Sequence, residues 1–242
     1  MVPYGINCDC GESYGRLSVG QDELVIPNIT SANIACGFHG GDPTTIRRTA
    51  RLARAHGVTC GAHPSLPDLM GFGRRLMNIE AGELVDLMIY QFGAVSALLA
   101  AEGVSCEHVK PHGVLYSMLY REELAEAFAE AILAANPRMA WICEAGSPAA
   151  VTANRRGLRI ITEFTADRAY DANGKLVITR VPERVDPAFA VNQVRQVVET
   201  GRVLSNAGTP IAVKAEVFCM HSDTPNSPEI ASALKAYLAS LG

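Results

Sequence analysis

The sequence is short of several things, and each shortage excludes something. It has a single tryptophan, Trp141, and 6% aromatic residues, which leaves few platforms on which a sugar or a base could stack. Nowhere in its 242 residues does G-x-x-x-x-G-K-[ST] occur, so nothing points to an autonomous P-loop nucleotide site. No stretch approaches the roughly eighteen apolar residues of a membrane span. Met1 leads almost at once into a strand-like segment without the charged and apolar regions of a signal peptide. We therefore expect a cytoplasmic protein with no membrane partner. A net charge of −4 with interspersed signs leaves no basic stripe for nucleic acid, and the run Arg47, Arg48, Arg51, Arg54 lies in a helical pattern as a solvated face. Seven cysteines, an odd number scattered along the chain, give no disulfide framework and read as small core residues in a reducing compartment.

What is present is a 48% hydrophobic content arranged in a repeating order. Short apolar or β-branched runs recur at 4–9, 31–37, 57–63, 106–112, 139–146, 158–164 and 211–221. Between most of them lie helical patterns, the clearest over 79–102, where Leu84, Leu87, Met88, Gln91, Val95 and Leu98 fall three or four apart before a stop at Gly103. Asp42 and Pro43 announce a helix that closes at Gly57, and Ser227, Pro228 and Glu229 open the last one. Strand and helix alternating over the whole length predict an α/β fold with parallel strands and outer helices, a TIM-like (β/α) barrel of seven strands occupying 1–242 as one domain. An open doubly wound sheet is the competing architecture. Asn173-Gly174 within YDANGKLVITR predicts a two-residue β-hairpin turn in an insertion near 168–184.

The chemistry-bearing residues fall at the C-terminal ends of the predicted strands. Asp9 and Glu12 follow the first, His39 the second, His63 the third, and Lys110 and His112 the fourth. Glu144 follows the fifth, Glu163, Asp167 and Arg168 the sixth, and His221 and Asp223 the seventh. In a barrel of parallel strands these ends converge on one face. A lone histidine near a strand end is commonly just hydrogen-bonded structure, and His56 and His108 are read that way. Four of six histidines at equivalent places in their βα units are harder to explain so. Asp9, His63 and His112 make a carboxylate and two imidazoles, a set able to hold a divalent cation, or equally a metal-free polar pocket in which Asp9 orients a histidine. The glycine-rich GFHGGDP at 37–43 can approach an anion or simply make a tight turn, and Arg74 with Arg75 offers charge to a carboxylate or phosphate. Pro111 fixes the backbone between Lys110 and His112, so both should be presented with little freedom, and neither is expected to fill the core.

Taken together, NCDCGESYG, NIACGFHGGDP, GAHPSLPDLMGFGRR, KPHGVLY, ADRAYDANGKLVITR and FCMHSDTP, in that order, resemble the LamB/YcsF family. The resemblance implies a divergent barrel of the glycoside hydrolase and deacetylase type. It also implies the A subunit of an ATP-dependent 5-oxoprolinase, which opens 5-oxo-L-proline to L-glutamate with B and C subunits that share the handling of ATP. On that reading Asp9, Glu12, His63, Lys110 and His112 are the catalytic candidates, and His39, Arg75, Glu163, Arg168 and His221 the substrate-binding ones. Cys10, Gly40, Val114, Ser117 and Ser222 depart from the usual family motifs but leave every charged and imidazole group in place. Glycine is the usual residue at 222, so the loop after His221 is where a change of backbone is expected. Two other functions compete: a stand-alone metal-dependent amidohydrolase acting on an acetylated sugar, and a non-catalytic substrate-binding subunit.

Overall fold

A computed structural model of the chain describes residues 4–177 and 181–242. Seven parallel strands close into a barrel: β1 (Gly5–Cys10), β2 (Ser31–Ala35), β3 (Thr59–His63), β4 (Cys106–Val109), β5 (Ala140–Cys143), β6 (Ile160–Thr165) and β9 (Val217–His221), with β9 pairing back onto β1. The expected seven-stranded barrel is therefore the fold. Around it run α1 (Asp22–Val25), α2 (Pro43–Ala55), α3 (Ala81–Ala100), α4 (Val114–Met118), α5 (Glu122–Ala135), α6 (Pro148–Arg155), α7 (Pro187–Thr200) and α8 (Ser227–Ala239).

The period-two alternation of the strands sorts polar from apolar residues in an unusual direction. Asn7, Asp9, Asn33, His63, His108 and Cys219 hydrogen-bond to one another or to Lys110 inside the barrel. Their chain neighbours Cys8, Cys10, Ile34, Phe218 and Met220 are fully buried in the apolar layer under the helices. The hydrophobic core thus lies between barrel and helices, while the barrel interior is a polar network. That network is satisfied at each step: Asn7 donates to Ser31 Oγ and Asn33 Oδ1, and His108 Nε2 donates to the same Asn33 oxygen at 2.9 Å. His108 is structural, as expected.

Helix signals hold with small shifts. Asp42 caps α2 by accepting from Thr44 N at 2.8 Å and Thr45 N at 3.0 Å, while in α8 the residue before the helix is Asn226, without a side-chain capping bond, and Ser227 is already inside the helix. In α3 the buried residues are Leu84, Met88, Gln91, Phe92, Val95 and Leu99, facing α2, α5 and the barrel. This helix is the most apolar stretch of its length: an 18-residue window of it has a mean hydropathy of 1.4, enough by length and composition to cross a membrane, yet here it forms part of the ring around the barrel.

Two further expectations change. The run at 211–221 is not one strand: Pro210–Ala212 (β8) pairs antiparallel with Arg202–Leu204 (β7) in a small ribbon, and the chain then enters β9 through Glu216, whose N–H donates to Thr162 O. The reversal at 171–175 is a four-residue turn closed by Gly174 N–H donating to Asp171 O. Gly174 adopts φ 77° and Asn173 stays at negative φ, so Asn173-Gly174 is not a two-residue turn of the primed type. A single antiparallel bridge joins Tyr170 to Leu176, and Ile178–Arg180 lie outside the described residues.

Gly61 shows how closely the interior is filled. A Cβ there would stand 2.2 Å from His108 Cδ2 and 2.4 Å from the His108 carbonyl oxygen, at the register shift between β3 and β4. Gly61→Ala should therefore cost about 3 kcal/mol or more in unfolding free energy. Gly93→Ala, where an added Cβ on α3 meets nothing within 4 Å, should instead stabilise by about 0.5–1 kcal/mol. Urea denaturation of both variants measures the contrast.

Candidate active site

The parallel strands deliver their C-terminal ends to one mouth, and the charged groups meet there. Lys110 N–H continues the β3 pairing by donating to Ala62 O at 2.9 Å, and His112 N–H donates to Pro64 O at 2.8 Å, so the segment around Pro111 is fastened beyond the end of β4. From that position Lys110 Nζ donates to Asp9 Oδ1 at 2.8 Å and Oδ2 at 3.2 Å, and to Cys219 Sγ at 3.2 Å, with Glu163 Oε2 at 4.0 Å. Asn33 Nδ2 donates to Asp9 Oδ1 at 2.7 Å, and His63 Nε2 lies 3.3 Å from Asp9 Oδ2. Burial pushes the Asp9 carboxyl up, but His63 and Lys110 outweigh it and hold Asp9 well below the usual carboxylate range. Burial likewise pulls Lys110 down, and Asp9, Cys219 and Glu163 more than reverse it. Each thus favours the charged form of the other in a buried setting.

Beside this pair lies a second cluster of different character. His39 Nε2 is 3.2 Å from Glu12 Oε1, and His112 Nδ1 is 3.0 Å from His63 Nε2 and 3.4 Å from Glu12 Oε1. The His39 and His112 rings stack at 3.7 Å between centroids, with 6° between planes. All four side chains are buried. Burial, and then the charge of Asp9, push the Glu12 carboxyl up; burial, and then neighbouring imidazoles, push His39 and His112 well down. Burial therefore works toward neutrality here. Ser222 takes up the other Glu12 oxygen, its hydroxyl donating to Oε2 at 3.4 Å, and its φ is not in the left-handed region. The serine thus needs none of glycine's backbone freedom and adds a hydrogen bond instead.

The rim is held by a chain of charges. Asp167 accepts from Arg168 Nη1 at 2.8 Å and from Thr224 Oγ1 at 3.1 Å, and lies 2.9 Å from His221 Nδ1. Asp223 accepts from Arg74 Nη2 at 2.6 Å and lies 3.6 Å from Arg168 Nη2. Here the side chains of His221, at 19% exposed, and Arg74, at 17%, reach the surface. Phe72 adopts φ 54°, a strained value for a bulky residue, and its carbonyl accepts from His112 Nε2 at 2.8 Å.

Residues 4–242 match the LamB/YcsF family. The chain belongs to that family. Relatives named as the A subunit of 5-oxoprolinase include one from Chloroflexus aggregans, 42% identical with 100% of this chain and 97% of that protein covered. Another, from Bacillus licheniformis, is 44% identical with 98% and 95% covered. The crystal structure of a lactam utilization protein from Thermus thermophilus superposes with a TM-score of 0.91 at 41% identity, over 99% of this chain and 97% of that one.

For this LamB/YcsF chain, the structure brings together Asp9, Glu12, His39, His63, Lys110, His112, Glu163 and His221, with Arg168 at the rim. Arg75 is the exception. Its guanidinium pairs with Asp68 and is 56% exposed, and its neighbour Arg74 is the one turned toward the mouth. Within the trio of Asp9, His63 and His112, His63 Nε2 reaches both others, at 3.3 Å from Asp9 Oδ2 and 3.0 Å from His112 Nδ1. Lys110 and Asn33 occupy Asp9, so His63 and His112 group with Glu12 and His39, whereas Asp9 groups with Cys219 and His221. Lys110 is not a freely presented end group either, since removing it strands a buried carboxylate. Glu144 stays apart, accepting from the Tyr120 hydroxyl. Residue-by-residue reading overlooked Asn33, Cys219 and the Phe72 carbonyl. The alternation of Asn7 with Asp9, and of Ser31 with Asn33, was the available signal for Asn33.

Asp167 gives a signed pH prediction. Burial raises its carboxyl, but His221 and Arg168 outweigh this and hold it below the ordinary range. Its contribution is then full above the unfolded value of about 3.9 and lost as the pH falls below it. Asp167→Asn should lose about 2 kcal/mol at pH 7, the scale of hydrogen bonds to charged groups. It should also show a shallower loss of stability than the wild type on acidification from pH 5, followed by denaturant titration at each pH.

Proposed function

We propose that the chain is the A subunit of an ATP-dependent 5-oxoprolinase, cleaving 5-oxo-L-proline (pyroglutamate) to L-glutamate with hydrolysis of ATP to ADP and phosphate, together with B and C subunits. The observation that carries the proposal is one barrel mouth in which a charged Lys110–Asp9 pair adjoins the imidazole and carboxyl cluster of Glu12, His63 and His112. Relatives over the full length that bear the 5-oxoprolinase name support it. The free cysteines, most of them buried, suit the cytoplasm.

A five-membered lactam is a resonance-stabilised amide with a poor leaving group. Phosphorylation of its carbonyl oxygen, with ATP handled jointly with the partner subunits, makes the carbon open to water. A first water then adds to that carbon and loses its proton, the ring C–N bond breaks with a proton going to the leaving nitrogen, and a second water releases phosphate from the acyl phosphate so formed. The chain has to place the water, move these protons and stabilise the negative charge on the phosphoryl and attacking oxygens. Lys110, kept charged by Asp9, is the charge stabiliser. Glu12, His63 and His112 hold the water, the imidazoles take its proton, and His39 fixes Glu12. Glu163, Arg168 and His221 face the substrate from the other side of the mouth. Trp141 packs against Phe128, buried beneath α5, so it offers no sugar platform, which weighs against a carbohydrate deacetylase.

Mixing the purified subunits tests this. The chain alone should show no ATP-dependent ring opening, and the three subunits together should show full turnover. In the complex, His112→Ala and Lys110→Met should each lower turnover by about 10²-fold or more, while Arg75→Ala stays near wild type. Full ATP-coupled turnover by the isolated chain, or wild-type turnover from a folded His112→Ala complex, would contradict the reading.

A further inference from the structure

We propose that Glu12, His39, His63 and His112 form a site for one divalent first-row transition ion of the zinc type. The inference goes beyond the activity above, since it concerns binding and is decided by metal content rather than by turnover.

One donor atom from each of the four residues lies within 4.8 Å of the other three. The closest separations, 3.0 Å between His112 Nδ1 and His63 Nε2, 3.2 Å between His39 Nε2 and Glu12 Oε1, and 3.4 Å between His112 Nδ1 and Glu12 Oε1, are those of ligands around a small cation. A tetrahedron with ligands at about 2.0–2.1 Å has edges of roughly 3.3 Å.

The proton positions make the stronger argument. His63 Nδ1 faces the Lys110 carbonyl at 2.7 Å, and His112 Nε2 faces the Phe72 carbonyl at 2.8 Å. A carbonyl oxygen only accepts, so each of those nitrogens carries a proton, and in the neutral ring the other nitrogen presents a lone pair. Those lone pairs, on His63 Nε2 and His112 Nδ1, point at each other across 3.0 Å. Two acceptors so close in a buried site require a positive charge between them. A ring N–H anchored on a backbone carbonyl is the usual outer support of a metal-bound histidine, and the strained Phe72 backbone is what supplies one of the two.

His39 adds an independent sign. Its Nδ1 is buried without a hydrogen-bond partner, while Nε2 faces Glu12 and the ring packs on His112, His63 and Phe72. A structural histidine is normally satisfied on both nitrogens. A third imidazole aimed at the same point is explained by a shared ligand. Three imidazoles and one carboxylate favour zinc and its neighbours over magnesium or calcium, which take oxygen donors.

The alternative is an extra proton, held by His63 between His112 and Asp9. To separate the two, the purified full chain is stripped with a chelator, dialysed, and titrated with Zn²⁺ and with Co²⁺. The proposal predicts one equivalent bound per chain by elemental analysis, visible Co²⁺ absorption of a four- or five-coordinate nitrogen and oxygen site, and at least a tenfold loss of affinity in His39→Ala and in Glu12→Gln, each checked for folding by circular dichroism. Histidine-ring ¹⁵N shifts of the wild type decide the matter even if the variants fail to fold: displacement of His63 Nε2 and His112 Nδ1 on adding Zn²⁺ supports the site. Unchanged ring shifts, binding well below one equivalent, or a folded His39→Ala protein that binds as tightly as wild type would overturn it.

Discussion

A buried ion pair between Asp9 and Lys110 sets the arrangement of the barrel mouth. Asp9 comes from β1 and Lys110 from just beyond β4, and the groups that touch or face them come from β2 (Asn33), β3 (His63), β6 (Glu163) and β9 (Cys219). Six of the seven strands therefore contribute to one electrostatic knot. Withdrawing two charges from water costs several kcal/mol per ion, and only close geometry with further hydrogen bonds offsets this. Asn33 supplies such a bond on the carboxylate side, and its other amide contacts pass the constraint down to Asn7 and His108. The polar interior of the barrel is the consequence: once a charge pair is fixed at the top, the layer beneath must be able to hydrogen-bond to its supports.

The same pair divides the site into two electrical environments. On one side Lys110 and Asp9 hold each other ionised; on the other, burial acts against charge on Glu12, His39 and His112. His63 stands between the two, 3.3 Å from Asp9 and 3.0 Å from His112. Hydrolysis of an activated cyclic amide requires such a division, a fixed cation where negative charge develops and neutral basic groups where a water must lose its proton. The proposed ion would occupy the neutral side without disturbing the pair, because Asp9 is already committed to Lys110.

The strand ends were legible in the sequence because chemistry and periodicity coincide there. Apolar alternation stops where Asp9, His63 and His221 begin, and strand parity is enough to send them to one face. Asn33 was legible from alternation only as a position on the polar face, because an asparagine in an apolar run gives no sign of which partner it meets across the barrel. Arg74 and Arg75 are adjacent in a loop, and which of them turns inward depends on Asp68, whose carboxylate also accepts from Gly71 N–H and Arg75 N–H and so claims the second arginine. The strained Phe72 backbone depends on tertiary contacts from His112 and is invisible to any local rule. Imidazoles at the ends of the second, third, fourth and seventh barrel strands announced a cluster, but only the register and the competition for Asp9 decide which of them, and which carboxylate, join it.

The measurement closest to the central claim is a double-mutant cycle on unfolding free energy at pH 7, with Asp9→Asn, Lys110→Met and both together. If the pair organises the mouth, Lys110→Met alone costs about 3–5 kcal/mol by leaving a buried carboxylate unpaired. Adding Asp9→Asn then recovers a large part of it, a coupling of about 2 kcal/mol or more. Additive effects within about 0.5 kcal/mol would contradict the account.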